Sequence, residues 1–338
     1  MRIGVIGINH KSAPLELRER VARGFLSEFG EKKNSFQGIL LSTCNRTELY
    51  FCPRSLPSFL KHLARVNITE AHIEILSNLK KSVEGEFEYA LYSYFGQDCF
   101  NHLGRVISGV DSAIFGESDI QRQAKIAYQV ATKKNPLSHE LHYLFQKGLK
   151  IGKDMRSSFL LAQKDMSLSH AIHSILEWNI KSLPKAKVLF IGNSTINRKL
   201  INFFGQLGYK EMTLCTRMTE GDLPKIALGN WDILENWEEY DVVISATYHD
   251  DFILKSPRKE IKDTLLFDLS IPRTIDPKLS KHPRLKLYNI DQIGQIAHIK
   301  RGGKEIALCD KIIENAVSRQ IQLFKKGREA KWRHAASS

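Results

Sequence analysis

Apolar and polar positions divide the chain into stretches of different period. Over residues 2–8, Ile3, Val5, Ile6 and Ile8 predict a first strand. Pro14 suits the start of a helix, and Leu15 to Phe25 carry the helical period, with Glu16, Arg18, Glu19 and Arg20 on its charged face. Gly38 to Leu41 and Thr47 to Cys52 read as two strands joined by a tight turn over Thr43, Cys44, Asn45 and Arg46. A strand, a helix and two more strands predict a small α+β sheet.

Residues 56–81 carry a helical pattern and no further message. Phe100, Leu103 and Ile107 recur at helical spacing up to Gly109, a candidate C-cap. Ser118 with Gln121 is a capping-box pattern, and Ile120, Ala124, Tyr128 and Ala131 mark one face of the helix it opens. After Pro136, Ser138 can cap a long helix through Leu141, Leu144, Phe145, Gly148, Ile151 and Met155, and a helix over Ser167–Lys181 follows. The pattern then changes. Lys187 to Gly192 is an apolar strand, and Asn193, Ser194 and Thr195 open a helix through Leu200, Phe203, Phe204 and Leu207. Strands at Glu211–Cys215, Asp241–Ala246 and Leu265–Leu269 complete an alternation that predicts a doubly wound parallel sheet, Rossmann-like. Beyond Asp291, Ile293, Ile296, Ile306, Ile313, Val317, and Leu323 or Phe324 keep a roughly helical spacing, interrupted at Gly302–Gly303. The basic stretch Lys325–Arg333 predicts a frayed or anion-binding end. The expected fold is thus multidomain α/β: an N-terminal α+β domain over residues 1–150, a doubly wound domain over 151–290, and a C-terminal helical segment over 291–338.

Composition narrows the setting. With 338 residues the chain has room for two domains or more, and no apolar run approaches a membrane span. The start, Met1-Arg2-Ile3-Gly4-Val5, enters a strand directly and does not read as a signal peptide. Five scattered cysteines make no disulfide framework, which predicts a reducing cytoplasm. The net charge of +13 suits a polyanionic partner such as RNA or an anionic surface; a host with generally basic proteins explains it equally well. Cys99 and His102 have a ligand-like spacing without a second pair, so no metal site is expected. Cys52, Cys215 and Cys309 read as packing residues.

Three places carry candidate chemistry. Cys44 sits at a bend beside Arg46, and a nearby guanidinium favours the nucleophilic thiolate; the plain alternative is a hairpin whose cysteine is merely small and apolar. Glu117 and Ser118 stand where a helix N-terminus favours negative charge and polar ligands, or simply form a good cap. The Gly192 turn is where a dinucleotide pyrophosphate would sit. It has a poor glycine pattern, because Ser194 puts a Cβ where a second glycine would let phosphate approach, although its hydroxyl and that of Thr195 could bond phosphate oxygens. The next strand ends Cys215-Thr216-Arg217. An acid for a ribose 2′-hydroxyl is absent, and Arg217 is placed to meet a 2′-phosphate, which favours NADP over NAD.

The string Ser42-Thr43-Cys44-Asn45-Arg46-Thr47-Glu48 resembles the signature of the glutamyl-tRNA reductase family. So, independently, do Gly7-Ile8-Asn9-His10-Lys11-Ser12-Ala13-Pro14 followed by Leu17-Arg18-Glu19-Arg20, His102 to Val106 with Ser108 to Ser112, Ser245-Ala246-Thr247, and Phe267 to Arg273. The likeness runs in order over residues 1 to about 320. Two places depart from it: the family's Gly-Glu-Pro-Gln is Gly116-Glu117-Ser118-Asp119 here, and its Gly-Ala-Gly-Glu is Gly192-Asn193-Ser194-Thr195.

The resemblance implies a catalytic domain that recognises glutamyl-tRNA, an NADPH-binding domain, and a long helix leading to a dimerisation region that is shortened here. It implies NADPH-dependent reduction of glutamyl-tRNA to glutamate-1-semialdehyde through a Cys44 thioester, at the start of tetrapyrrole synthesis. Cys44 is the expected nucleophile and His102 the expected proton carrier. Arg46 is expected to clamp the substrate carboxylate, with Thr43, Asn45, Ser112, Glu117, Ser118, Asp119 and Gln123 around the substrate. Gly192, Asn193, Ser194, Thr195, Ile196, Asn197 and Arg217 are expected to hold NADPH. A contact with the next pathway enzyme, glutamate-1-semialdehyde aminomutase, and weak self-association through the short C-terminal region are further expectations. Two alternatives stand beside this: a tRNA-binding protein that has lost reduction, and a cysteine-dependent esterase or acyltransferase that uses Cys44 and His102 without a nucleotide.

Overall fold

The computed structural model describes residues 1–30, 38–53, 64–113, 115–116, 119–134, 136–157, 168–217, 226–257, 259–298 and 303–336. They fall into two units, one of residues 1–165 with 300–338, the other of residues 166–299.

The first unit is built on an antiparallel sheet of β1 (Gly4–Asn9), β2 (Gly38–Ser42), β3 (Arg46–Phe51) and β4 (Tyr92–Phe95), in the order β2-β3-β1-β4. The first three are the predicted strands; β4, an edge strand, was not expected. Side chains on a strand alternate between faces. Leu49 and Phe51 of β3 therefore enter a core with Leu17, Val21 and Phe25 of α1 (Leu15–Phe29) and Ala71, Ile75 and Leu79 of α2 (Ala64–Ser82). Residues 56–63 of the predicted second helix lie outside the described residues. Arg46, Glu48 and Tyr50 point to the opposite face, which is covered by α3 (Gly96–Ser108), α4 (Asp119–Lys134), α5 (His139–Met155) and the C-terminal helix, Gly303–Ala336.

The ends of these helices follow local chemistry. Gly109 ends α3 in the left-handed conformation, φ 80°, as its sequence position predicts. The Ser138 side chain accepts the Leu141 N–H at 3.2 Å and caps α5, also as expected. The C-terminal helix seats Cys309, Ile313, Val317 and Ile321 in the same core as Leu103, Ile107, Leu144 and Ile151. The expected fraying at Lys325–Arg333 does not occur: the helix runs through to Ala336. Lys, Arg, Glu and Ala are good helix formers, and cations near a helix C-terminus complement its dipole.

The second unit is a six-stranded, wholly parallel sheet: β5 (Val188–Ile191), β6 (Met212–Cys215), β7 (Ala227–Gly229), β8 (Val242–Ser245), β9 (Thr264–Asp268) and β10 (Leu285–Asn289), in the order β10-β9-β8-β5-β6-β7. That order reverses between β5 and β8, the switch point where ligands of open α/β sheets bind. The unit also holds α6 (Leu168–Asn179), α7 (Thr195–Gln206) and α8 (Ile290–His298). Strands β7 and β10 are additions to the sequence expectation. No helix among the described residues is long and apolar enough to cross a membrane.

Candidate active site

The turn after β2 is pinned by its own residues. The Thr43 hydroxyl accepts the N–H groups of Asn45 and Arg46 at 3.2 and 3.3 Å, and the Thr43 N–H donates to the Arg46 carbonyl at 2.8 Å. This leaves Cys44, half-buried, at the tip of the hairpin. The Cys44 carbonyl accepts Arg18 Nη1 at 3.3 Å. The end of β1 closes over the turn: the His10 N–H donates to the Asn45 carbonyl at 3.0 Å, while Asn9 Oδ1 accepts the N–H groups of Lys11 and Ser12.

Directly behind the turn lies a buried polar hub centred on Glu48, which is fully buried. Its Oε1 accepts Arg46 Nη1 at 2.9 Å, His102 Nε2 at 2.8 Å and the Tyr92 hydroxyl; its Oε2 accepts the Tyr50 hydroxyl at 2.6 Å. Gly7 makes room for it, since a Cβ there would lie 2.7 Å from Glu48 Cγ and 2.9 Å from the Thr47 carbonyl. Burial alone would raise the Glu48 pKa, but Arg46, His102 and Tyr50 outweigh it and hold the carboxyl well below the usual carboxylate range. Burial and the same carboxylate push the Tyr50 and Tyr92 phenols well up, so both stay protonated and donate. Against an ionised carboxylate His102 must carry its proton on Nε2, which makes Nδ1 the basic nitrogen. Rings of Tyr92 and Tyr94 flank His102, with centroids at 5.3 and 4.8 Å.

Arg46 is only 2% exposed. Besides Glu48 it donates from Nη1 to Asp111 Oδ2 at 3.0 Å and from Nη2 to the Asp111 carbonyl. The bidentate clamp expected of Arg46 is therefore not presented here, because both terminal nitrogens already donate to the protein. Its charge still sits beneath the turn. Asp111 also pairs with Lys11, whose side chain is half-exposed.

Among the described residues, three buried polar atoms beside the turn have no hydrogen-bond partner: His10 Nδ1, Asn45 Oδ1 and Ser112 Oγ. Buried polar atoms without partners are uncommon and suit a ligand's donors. Burial, with Arg46 and Lys11 close by, lowers the His10 pKa to about 4, so its imidazole is neutral. Of the other expected substrate residues, Asp119 accepts Nε and Nη2 of Arg122 on its own helix, both at 3.2 Å, and Gln123 is half-buried on α4. Glu117 and Ser118 lie outside the described residues. Glu48, Tyr50, Tyr92, Asp111, Lys11 and His10 were not among the sequence candidates, although Glu48 closes the signature string.

The second unit carries the expected cofactor residues. Gly192 ends β5 with φ +93°, and a Cβ there would lie 2.5 Å from Thr247 Cβ and 2.9 Å from the Ala246 carbonyl. Only glycine fits this close turn. Ser194 Oγ accepts the Asn197 N–H at 3.1 Å and caps α7, which leaves its O–H to donate to a phosphate oxygen. Asn197, fully buried, donates from Nδ2 to the carbonyls of Ile191 and Gly192 at 2.9 and 2.8 Å, and its Oδ1 is buried without a partner. Asn193, Thr195 and Ile196 are partly exposed around this helix start, whose N–H groups and dipole suit a pyrophosphate. The turn thus fits a dinucleotide despite its missing glycines. Arg217, exposed at the end of β6, lies 4.1 Å over the Trp231 ring. Asp268, pushed up to about 6 by burial, accepts the N–H groups of Ser270, Thr274 and Ile275 and ties the loop after β9. Among the described residues no group of acidic, His or Cys side chains is placed to hold a metal ion.

Residues 6–159 match the family model of the glutamyl-tRNA(Glu) reductase N-terminal domain, and residues 174–296 match that of shikimate/quinate 5-dehydrogenase. Over 343 residues the chain is 30% identical to a glutamyl-tRNA reductase of Akkermansia muciniphila, covering 94% of this chain and 97% of the relative. A glutamyl-tRNA reductase of Chlamydia caviae is 34% identical over 285 residues, 81% of this chain and 78% of its own. In fold, the chain is similar to the glutamyl-tRNA reductase from Methanopyrus kandleri, with a TM-score of 0.50, 22% identity, and 98% of this chain and 82% of that chain covered.

Proposed function

Because this chain belongs to the glutamyl-tRNA reductase family, and so is an NADPH-dependent oxidoreductase of the first step of tetrapyrrole synthesis, we propose that its reaction runs through Cys44 with the Glu48 hub as its support. The observation that carries this reading is the placement of Cys44 at the tip of a self-pinned hairpin whose second strand delivers Arg46 and Glu48 to His102.

The Cys44 thiolate attacks the ester carbonyl of glutamyl-tRNA. The bond to the terminal ribose oxygen breaks, that oxygen takes up a proton, and the glutamyl group remains as a thioester. NADPH held by the second unit would supply the hydride for this acyl group, and the Cys44 sulfur then leaves as thiolate to give the semialdehyde. Arg46 lies in the turn itself and Arg18 donates to the Cys44 carbonyl, and guanidinium groups beside a thiol favour the thiolate. Glu48 fixes the His102 tautomer and orientation, as the carboxylate of a catalytic triad does, leaving Nδ1 to move a proton. Asn45 Oδ1 and Ser112 Oγ, both buried without partners, accept the donors of the substrate's amino group. Thr43 acts one step back, by holding the turn. Glu117, Ser118, Asp119 and Gln123 belong to the same substrate reading. Gly192 to Asn197 hold the pyrophosphate, and Arg217 the 2′-phosphate. The parallel sheet and its shikimate dehydrogenase-like match favour this over an esterase without a nucleotide. Within the same reading the protein works in the cytoplasm, in keeping with its five free cysteines, associates only weakly with a second copy, and hands its reactive aldehyde to the aminomutase that consumes it.

The test is mass spectrometry of acid-quenched protein mixed with glutamyl-tRNA in the absence of NADPH. A glutamyl adduct on the Cys44 peptide is expected in the native chain and none in Cys44→Ser. No adduct under single-turnover conditions, with semialdehyde formation surviving Cys44→Ser, would refute covalent catalysis.

A further inference from the structure

The loops that follow β6, β7 and β8 each place one flat, polar side chain at the same end of the sheet. Arg217 follows β6, Trp231 follows β7, and His249 follows β8. The Arg217 guanidinium carbon lies 4.1 Å over the Trp231 ring, and the His249 and Trp231 centroids are 5.7 Å apart. The indole is held by its neighbours in sequence. The Thr216 N–H donates to the Gly229 carbonyl at 3.1 Å, Cys215 Sγ donates to the Asn230 carbonyl at 3.4 Å, and Asn230 Nδ2 donates to Asp232 Oδ2 at 2.8 Å. Trp231 also begins the 3-10 segment Trp231–Glu239.

The indole packs against the core of the parallel sheet, a role that a Leu or Phe would serve as well. It borders a cavity of about 260 Å³, shared with Trp237, His249 and Ile253, and does not fill it. Its Nε1–H is buried without a partner among the described residues, a cost that a Leu or Phe in the same place would avoid. What the indole supplies that those residues do not is the strongest ring face for a cation.

We propose that Trp231 is a specificity-determining residue for NADPH over NADH, acting as the platform that holds the Arg217 guanidinium in position for the 2′-phosphate. An exposed arginine samples many rotamers, and binding through it forfeits that freedom; an arginine already lying on a ring has forfeited much of it beforehand. Only a ligand with a 2′-phosphate draws on the arrangement, so Trp231 tunes selectivity without touching the cofactor's reactive end. The proposal rests on the reading of Arg217 as the 2′-phosphate ligand, and the two can fail separately.

The experiment is calorimetry on the full chain with two probes, adenosine 2′,5′-bisphosphate and 5′-AMP. Cation–π contacts at exposed sites translate into roughly two- to fivefold in affinity. Trp231→Leu is expected to weaken the bisphosphate by about that factor and leave 5′-AMP unchanged. Trp231→Phe, which keeps a weaker ring face, is expected to fall between and serves if the Leu variant does not fold. Arg217→Ala should abolish the preference for the bisphosphate, and adding Trp231→Leu to it should change nothing more. Equal weakening of both probes, no change in either, or a further loss in the double variant overturns the role of Trp231. If Arg217→Ala itself leaves the preference intact, the reading of Arg217 falls first and this proposal with it.

Discussion

Glu48→Gln isolates the charge at the centre of the hub while keeping its shape. Three donors converge on Oε1 and one on Oε2. The glutamine carbonyl can still accept the first three, and the Tyr50 hydroxyl can rotate to accept from the new amide. The hydrogen-bond count therefore survives, and what disappears is the negative charge opposite Arg46. Removing one partner of a buried ion pair costs about 3–5 kcal/mol. Asp111 remains as a second counter-charge at 3.0 Å, so the expected loss is at the lower end, about 3 kcal/mol. Glu48→Ala, which strands all four donors, should lose about 4 kcal/mol or more. Because the chain divides into two units, hydrogen exchange of the β1 and β3 amides, which reports on the first alone, is the appropriate measure. The same variant should slow formation of the Cys44 adduct by at least about tenfold, since a loosely held His102 forfeits part of a general acid–base contribution of about 10²–10⁴. Native protection of β3 to within about 0.5 kcal/mol, together with an unchanged adduct rate, would refute the hub as the support of the site.

Two further expectations concern single residues. Ser194→Ala should destabilise the second unit by about 1 kcal/mol through loss of the α7 cap, whereas Ser194→Gly, costing a few tenths, should tighten NADPH by removing a Cβ from the pyrophosphate approach; weaker NADPH binding by the glycine variant in calorimetry would mean that the hydroxyl serves phosphate after all. His10 has a folded pKa of about 4 against an unfolded 6.5, so the unfolded chain takes up its proton first as pH falls; the stability it contributes is full above 6.5 and is lost between 6.5 and about 4, up to about 3 kcal/mol. His10→Gln should flatten that part of the stability profile in urea titrations, and an unaltered profile would contradict the burial of a neutral imidazole.

Local chemistry was legible wherever one short string contained all of it. The Cys44 hairpin, the Gly109 C-cap and the Ser138 cap each lie within a few residues of the groups they satisfy. So does the alternation that announces the parallel sheet. The hub was not legible, because its members meet across the fold: His102 is 54 positions from Glu48, Tyr92 is 44, and Asp111 is 65 from Arg46. From sequence a glutamate in a strand reads as a solvated position, and nothing local says that it is fully buried. The same blindness explains the expected Arg46 clamp, since its partner Asp111 was unknown. Strand β7 is three residues long, with Ala227 and Leu228 exposed, so no apolar run advertises it. That Ser194 Oγ caps α7 through the Asn197 N–H shows only in the geometry, since the sequence marks the start of the helix and not which atom closes it.

The first unit is completed by two stretches of chain separated by the whole of the second, residues 166–299. Cys309, Ile313 and Val317 pack with Leu103 and Ile107, and Asp310 pairs with Arg105, 205 positions earlier. On a ribosome emitting about 5–20 residues per second, the face of α3 that these residues cover would stay bare for roughly ten to forty seconds after it emerges. During that interval every residue of the dinucleotide unit emerges, while the core behind Tyr50 still lacks Cys309, Ile313, Val317 and Ile321. Synthesis therefore imposes an order of maturation, with the nucleophile's scaffold finished last.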